Sequence, residues 1–383
     1  MMETIKTYSF PRAGLLGNPS DGYFGKTISF AFSEFGVEMT LDESARMKFT
    51  PGVVDDSTFA SPEDLVRDVR LYGYYGGIRL LKATAKRFFE YCMDNGIAVP
   101  RRNFTASYKI NIPRLVGMSG SSAICSAMLK ALMKFYEVEI PLEVRPTLCL
   151  EAERELGINC GFQDRVIQIY NGLVFMDFDR EYLNIHNYGK YERLDPAVFS
   201  NSQPPTVDFQ PTTFNLYIAY DANRAEESGK AHADVKARFE EKKADVLSAM
   251  SEFADIARQG RDLLVKAGSI GSDCVGIGSE SAGEGEGLKV RFAELINANF
   301  DLRDRIFNVA PENRRMVMTA RSAGASAKFA GSGGAIVGTF ENEEQYERLV
   351  RSLATIGCTV FKPTIAVDDS ILPPSIAAKW RDA

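Results

Sequence analysis

The residues best suited to chemistry form a glycine- and serine-rich stretch at 113–123, with the sequence PRLVGMSGSSA. Glycines let the backbone approach a ligand closely, and the first turn of a helix presents N–H groups and the positive end of its dipole. Serine hydroxyls add donors and an oxygen suited to Mg²⁺. These groups could hold a polyphosphate, although a serine-capped turn has the same composition. The residues concerned are Pro113, Gly117, Ser119, Gly120, Ser121, Ser122 and Ala123.

The flanking patterns predict the elements that would position this loop. Before it, apolar residues alternate with mostly polar ones from Phe104 to Ile112, which is the period of a half-buried strand. After it, Ile124, Met128 and Leu132 recur at the spacing of an amphipathic helix. The sequence therefore predicts a strand, the loop and a helix in direct succession.

Carboxylates suited to catalysis or metal binding follow the loop. A predicted helix over 141–157 carries an acidic run that contains Glu153, and such runs are commonly solvated faces. Asp164 falls at the start of a short predicted helix, where the dipole favours a carboxylate. On local grounds, helix capping is the simpler explanation of Asp164.

A turn near the start of the chain carries two further charges. The segment 10–32 predicts two strands around a turn at 17–22, with Arg12 and Asp21 as its charged residues. Surface pairing is the simplest expectation for each. The letters GYFGKT resemble the end of a P-loop, but Ser20 stands where the first glycine would be required, so that interpretation is rejected.

Composition limits the classes of function. The length of 383 residues favours two domains, and a net charge of −6 offers no electrostatic footprint for nucleic acid. No apolar run is long enough to span a membrane, and the N-terminus lacks a signal-peptide pattern, so we expect a soluble, cytoplasmic protein. Six scattered cysteines and two histidines argue against disulfides and a three-histidine zinc site.

The second half predicts a smaller α+β unit. A proline- and serine-rich segment at 195–212 is the best boundary, giving domains 1–200 and 212–383. Strands and helices are expected in the order strand, helices, strand, helix, strand, with a mobile Gly/Ser-rich loop at 268–287. The expected elements are a strand at 214–220, helices at 225–266 and 288–323, a glycine-rich turn and strand at 327–340, a helix at 343–357 and a strand at 359–367.

Three glycine-bearing segments, 10–26, 113–123 and 328–334, stand in an order that resembles the GHMP kinase superfamily. Within it the chain most resembles the glucuronokinases, through GNPSDGYFGKTIS, NIPRLVGMSGSSAI, AERELGINCGFQDRV and KFAGSGGA. Two departures are the order GMSGSSA in the second motif and the Gly/Ser-rich segment 268–287. The resemblance implies a two-domain α+β fold, with the phosphate loop in the N-terminal domain and a ferredoxin-like C-terminal domain.

The resemblance also implies roles for individual residues. The loop 113–123 would bind ATP, Ser121 and Glu153 would bind Mg²⁺, and Asp164 would meet the reacting hydroxyl with Arg12 beside it. Asp21 would contact a sugar hydroxyl. The third motif, with Gly331, Ser332, Gly333 and Gly334, would close over the substrate or the phosphates.

The implied activity is ATP-dependent phosphorylation of a small sugar or sugar acid, with D-glucuronate and its 1-phosphate as the expected pair. A kinase for a neutral sugar or another small alcohol is the first alternative. A catalytically inactive GHMP-fold binding or regulatory protein is the second. Arg79 and Arg114 are weak candidates for binding a substrate carboxylate, and the sequence leaves the oligomeric state open.

Overall fold

The computed structural model describes residues 3–52, 55, 76–158, 161–199, 214–222, 228–273, 280–374 and 376. The described strands form three four-stranded sheets. The strands are β1 (Ile5–Ser9), β2 (Arg12–Leu16), β3 (Lys26–Ala31), β4 (Val37–Ser44), β5 (Lys48–Phe49), β6 (Asn103–Ile110), β7 (Leu173–Asp177), β8 (Lys190–Leu194), β9 (Asn215–Tyr220), β10 (Lys328–Phe329), β11 (Ala335–Phe340) and β12 (Thr359–Phe361).

The described helices pack on and between these sheets, and none combines the length and apolarity that a membrane span requires. They are α1 (Gly77–Asp94), α2 (Gly120–Tyr136), α3 (Arg145–Glu155), α4 (Gln163–Tyr170), α5 (Arg180–His186), α6 (Ser228–Glu240), α7 (Ala244–Asp273), α8 (Glu280–Ile306), α9 (Pro311–Ser322) and α10 (Glu343–Ala354). Short 3-10 turns cover Ser20–Tyr23 and Pro196–Val198.

The N-terminal half contains two sheets, with strand orders β1-β4-β6-β5 and β2-β3-β7-β8. Helix α2 packs on β1 and β4 and against α1, α3 and α4. It is buried around most of its circumference, because alanine, serine and cysteine fill the positions between its large apolar residues. The predicted succession of strand, loop and helix is confirmed by β6, the 111–119 loop and α2.

The C-terminal sheet has the order β10-β11-β9-β12 with every neighbouring pair antiparallel. Numbered within this half, the order is 2-3-1-4, which is the ferredoxin-like arrangement the resemblance implied. Helices α7 and α8 leave this sheet and contact β3 and β2 of the N-terminal half. Buried apolar residues of both halves belong to one continuous core.

Several sequence predictions need correction. The expected mobile loop at 268–287 is wrong for its described part, because α7 continues to Asp273 and α8 begins at Glu280. Helices α7 and α8 pack against each other and bury Leu264 and Leu288, and this packing outweighs the low helix propensity of the glycines. Residues 274–279 lie outside the described part of the chain.

Other predicted elements differ at their ends. The helical region expected at 225–266 is two helices separated near Lys242, whose φ is +58°. The helix expected to begin at Pro141 begins at Arg145, and the last strand ends at Phe361. Most of the predicted boundary, 200–213, is not described, and the domain limits 1–200 and 212–383 stay predictions.

Candidate active site

The three glycine-bearing segments meet at one cavity of about 700 Å³. Eleven of the predicted site residues line it: Arg12, Asp21, Pro113, Gly117, Ser119, Gly120, Ser121, Ser122, Asp164, Gly331 and Ser332. Four others are buried and do not line the cavity: Ala123, Glu153, Gly333 and Gly334. Tertiary structure thus brings together residues that lie more than half the chain apart.

Asp164 is held in a fork by Arg12. The guanidinium donates from Nε to Oδ1 at 2.6 Å and from Nη2 to Oδ2 at 3.0 Å, and Ser119 Oγ also donates to Oδ2. Burial acts to raise the pKa of Asp164, but the charges of Arg12 and Arg165 and these hydrogen bonds outweigh it and lower the pKa to about 2. The contacts of Asp164 reach two other motifs, which helix capping would not require.

Arg12, the first residue of β2, is buried, so the expectation of a surface pair is wrong. Besides Asp164, its Nη1 donates to the carbonyl oxygens of Gly117 at 2.5 Å and Ala330 at 3.1 Å. One guanidinium therefore joins the first motif to the second, to the third and to the start of α4.

Asp21 lies in the 3-10 turn of the first motif and lines the same cavity. Its Oδ2 accepts from the backbone N–H of Gln163 at 3.1 Å, and a Cβ at Gly161 would lie 1.9 Å from that oxygen. Burial, followed by the negative charge of Asp164, raises the pKa of Asp21 to about 6. Two neighbouring carboxyl groups with separated pKa values are typical of active sites.

Glu153 has a different environment from the one predicted. Its carboxylate is fully buried and accepts from Arg165 Nε at 2.5 Å and from Ser122 Oγ at 3.3 Å. Arg165 is 1% exposed, lies 3.8 Å from Asp164 Oδ2 through its Nη1 and donates from Nη1 to the Gly161 carbonyl at 2.9 Å. The structure therefore places a cation beside Glu153, and the serine that contacts Glu153 is Ser122 rather than Ser121.

The predicted Mg²⁺ ligands are Ser121 and Glu153. Ser121 is half-buried at the cavity wall and its hydroxyl fits a Mg²⁺ ligand. The Glu153 carboxylate accepts from Arg165 and Ser122, so the positive charge beside it in this structure is that of Arg165. Its assignment as a Mg²⁺ ligand stays a prediction. Among the described residues, no group of three or more His, Cys, Asp and Glu side chains could hold a metal ion.

The second and third motifs approach each other so closely that glycine is required. A Cβ at Gly331 would lie 2.2 Å from the carbonyl oxygen of Gly117 and 2.9 Å from Arg12 Nη1. Gly117 has φ +75°, and a Cβ there would lie 2.6 Å from the carbonyl oxygen of Gly333. The two loops form adjoining parts of one wall, and any side chain at Gly117 or Gly331 would push them apart.

Comparisons with known proteins identify the family of this chain. Residues 79–172 match the family of the GHMP kinases N terminal domain. The chain is 43% identical over 336 residues to a probable glucuronokinase 2 of Arabidopsis thaliana, covering 86% of this chain and 82% of that protein. It is 39% identical over 339 residues to glucuronokinase 1 of the same plant, covering 87% of this chain and 84% of that protein. The chain belongs to the GHMP kinase family.

Solved structures show the same fold for this GHMP kinase. Lactococcus lactis galactokinase complexed with galactose superposes with a TM-score of 0.66 at 14% identity, covering 95% of this chain and 94% of that one. Methanococcus jannaschii mevalonate kinase superposes with a TM-score of 0.63 at 17% identity, covering 96% of this chain and 99% of that one. The predicted two-domain α+β fold is confirmed at this level.

Sequence reasoning missed buried cations of this GHMP kinase, among them Arg165, which lines the cavity, and Lys328, which does not. Lys328 is buried, and its amino group donates to the carbonyl oxygens of Gly14 at 2.6 Å and Phe329 at 2.8 Å and to Asn18 Oδ1 at 2.5 Å. Lys328 is the first residue of the KFAGSGG motif, and this position could have marked it as part of the motif's structure. Arg165 directly follows Asp164, and this position could have marked it as a neighbour of the catalytic carboxylate.

Proposed function

We propose that this GHMP kinase transfers the γ-phosphoryl group of ATP to the anomeric hydroxyl of D-glucuronate, giving D-glucuronate 1-phosphate and ADP. Identity of 39–43% to glucuronokinases over most of the chain supports the substrate. The observation that carries the chemistry is the Asp164 carboxylate, kept ionised by Arg12 where all three motifs meet. These intact contacts argue against an inactive member of the family.

The second motif would bind the triphosphate. Its glycines lie at the N-terminus of α2, where backbone N–H groups and the helix dipole attract phosphate. Ser119, with φ +62°, is the residue immediately before α2, and its hydroxyl donates to Asp164. Ser121 and Ser122 line the cavity in the first turn, while Pro113 and Ala123 frame the loop.

Asp164 would act mainly by orienting the sugar hydroxyl. A carboxylate with a pKa near 2 is a weak base, so it holds the hydroxyl in line for attack and takes the proton as the bond to phosphorus forms. The hydroxyl oxygen bonds to the γ-phosphorus while the bond to the β-phosphate oxygen breaks and ADP leaves. Arg12 would balance the charge of Asp164 and of the transferring group.

Mg²⁺ would enter with ATP, bound mainly by its phosphates and by water, and would neutralise phosphate charge. We propose Ser121 as the protein hydroxyl nearest to the ion. Glu153 would contribute indirectly, because its carboxylate holds the side chains of Arg165 and Ser122 in place.

The other wall of the cavity would bind the sugar. Asp21 would accept a hydrogen bond from a ring hydroxyl, since it lines the cavity close to Asp164. Gly331, Ser332, Gly333 and Gly334 would close over the reacting groups, because this loop already lies against Gly117 and Arg12.

The test is an ADP-release assay with saturating MgATP over a panel of sugars and sugar acids, with the product identified by ³¹P NMR. We expect efficient phosphorylation of glucuronate at C1, weaker use of galacturonate and very poor use of glucose and galactose. A site that hydrogen-bonds one substrate group can reject analogues lacking it by about 10⁴-fold. A higher kcat/KM for galactose, mevalonate or homoserine would show that the proposed substrate is wrong.

A further inference from the structure

We propose that Arg303 binds the carboxylate of the sugar substrate and thereby gives the cavity its preference for a uronate. The inference rests on the proposed function and adds a residue to it. Arg303 lies on α8 in the C-terminal half and lines the cavity together with Gly331 and Ser332 of the third motif. An anionic substituent on the sugar needs a cation or convergent N–H groups on this side of the cavity.

Arg303 is preorganised for recognising a flat anion. It is 3% exposed, and it donates from Nη1 to the Gly331 carbonyl at 2.7 Å and from Nη2 to the Ser332 carbonyl at 2.8 Å. The rings of Phe307 and Phe329 lie 5.3 and 5.1 Å from its guanidinium carbon. A fixed, poorly hydrated guanidinium is well suited to a carboxylate, because little side-chain freedom remains to be lost on binding.

Arg303 and Asp164 line the same cavity, on either side of Gly331. Gly331 separates the two sites, since its carbonyl accepts from Arg303 while its Cα faces Arg12, the partner of Asp164. In glucuronate the anomeric hydroxyl and the carboxylate lie on opposite sides of the ring oxygen. A sugar with its C1 hydroxyl at Asp164 would have its carboxylate, which C5 carries across the ring oxygen, available to Arg303 on the other side of Gly331.

The charge of Arg303 also acts on Tyr23 in the first motif. Burial and the charge of Asp21 raise the pKa of Tyr23 to about 12, and Arg303 acts in the opposite direction. Tyr23 and Asp21 line the same cavity, so this wall combines a cation, a phenol and a carboxylate for one polar ligand.

Other cations of the cavity are less suited to this role. Arg12 and Arg165 are engaged in ion pairs with Asp164 and Glu153, which hold them at the reaction centre. Their charge is needed where the phosphoryl group is transferred, and both are already paired with carboxylates of the protein.

The remaining basic residues near the cavity belong to the phosphate loop or are exposed to solvent, and neither position suits a residue that binds the substrate carboxylate. Arg114 belongs to the phosphate loop, and Arg79 is exposed and does not line the cavity, so both weak candidates from the sequence are replaced by Arg303. Arg154 and Lys236 line the rim but are exposed, where a carboxylate contact is weakened by water.

The experiment compares Arg303→Met and Arg303→Lys with Arg305→Met as the matched control. Arg305 is on the same helix but exposed, and it pairs with Glu252 at 2.8 Å. For each protein, kcat/KM is measured for glucuronate and glucose at saturating MgATP, together with the Kd for ATP and the midpoint of thermal unfolding. We expect Arg303→Met to lower kcat/KM for glucuronate by about 10²-fold, mainly through KM, and to change glucose use little. Arg303→Lys should retain part of the preference, and Arg305→Met should match wild type.

A parallel measurement on the wild-type protein guards against a variant that fails to fold. Glucuronamide has the shape of glucuronate without its charge, so we expect its kcat/KM to be lower by about 10²-fold or more. Equal use of glucuronamide and glucuronate would overturn the inference, as would equal losses for glucuronate and glucose in Arg303→Met, which would identify a structural clamp of the third motif. Failure of wild type to use glucuronate would instead overturn the proposed function.

Discussion

At the scale of single residues, the cavity holds two carboxyl groups whose pKa values have moved in opposite directions. Asp164, beside Arg12 and Arg165, has a pKa of about 2 and stays ionised throughout the physiological range. Asp21 faces Asp164 and has a pKa of about 6, so it gains a proton as the pH falls through that value. A decrease in activity as the pH falls toward 6 should therefore reflect protonation of Asp21 and not of Asp164.

We expect kcat/KM for the sugar to fall below about pH 6 in wild type, because protonated, uncharged Asp21 is a weaker hydrogen-bond acceptor for the ring hydroxyl. Asp21→Asn should be less active and should lose this decrease between about pH 5 and pH 8. The measurement is the pH profile of both proteins at saturating MgATP. An unchanged decrease in Asp21→Asn would assign the titration to another group.

Asp164→Asn should lower kcat by about 10²- to 10⁴-fold, because the neutral amide cannot take the hydroxyl proton and loses its ion pair with Arg12. The Kd for ATP should change little, since the second motif is intact. Steady-state kinetics and nucleotide titration check this, with Asp255→Asn on the exposed face of α7 as the control. Near-normal turnover of Asp164→Asn would show that Asp164 has only a structural role.

Glu153→Gln should destabilise the protein by about 3–5 kcal/mol, because Arg165 would remain buried without its counter-charge. Glu151→Gln, on the same helix and 3.9 Å from Arg87 at a half-buried position, should change stability by about 0.5 kcal/mol or less. Urea unfolding measures both. A Mg²⁺ titration of activity distinguishes a counter-charge for Arg165 from a metal ligand. A raised Mg²⁺ requirement in Glu153→Gln with normal stability would identify Glu153 as a metal ligand.

At the scale of elements, the close contact between the second and third motifs should control activity. Gly331→Ala places a methyl group 2.2 Å from the Gly117 carbonyl, so the loops must separate, and a displacement of about 1 Å can cost roughly 10²-fold in rate. Gly287→Ala in α8 is the control, because a Cβ there meets nothing within 4 Å and alanine favours the helix by about 0.5–1 kcal/mol. Equal kinetics for the two variants would show that this wall tolerates rearrangement.

At the scale of the whole molecule, Lys328 connects the C-terminal half of the chain to the N-terminal half. Its amino group reaches the Gly14 carbonyl across 314 positions of sequence and also contacts Asn18. Lys328→Met would leave those buried acceptors without a donor, so we expect a loss of roughly 1–3 kcal/mol in the free energy of unfolding. Lys289→Met, at the surface of α8, should be nearly neutral. Urea titrations of both variants test this, and equal stabilities would show that the contact contributes nothing.

The sequence by itself determined most of the elements and the identity of the three motifs. Strand and helix periods are local properties, because backbone hydrogen bonds and one apolar face suffice to specify them, and β6, α2, β9 and α9 follow their patterns. The family resemblance added Arg12 and Asp164, which composition and spacing alone assigned to a surface pair and a helix cap.

Tertiary structure alone decided which charges meet. Arg12 is buried because β2 runs beneath the loops of the second and third motifs, and Glu153 accepts from Arg165 because α3 and α4 pack together. Arg303, in a helix whose sequence pattern marks no site, reaches the cavity because α8 crosses to the N-terminal half. The energy of a charge depends on its burial and its partners, and both are set by residues distant in sequence, which local patterns do not specify.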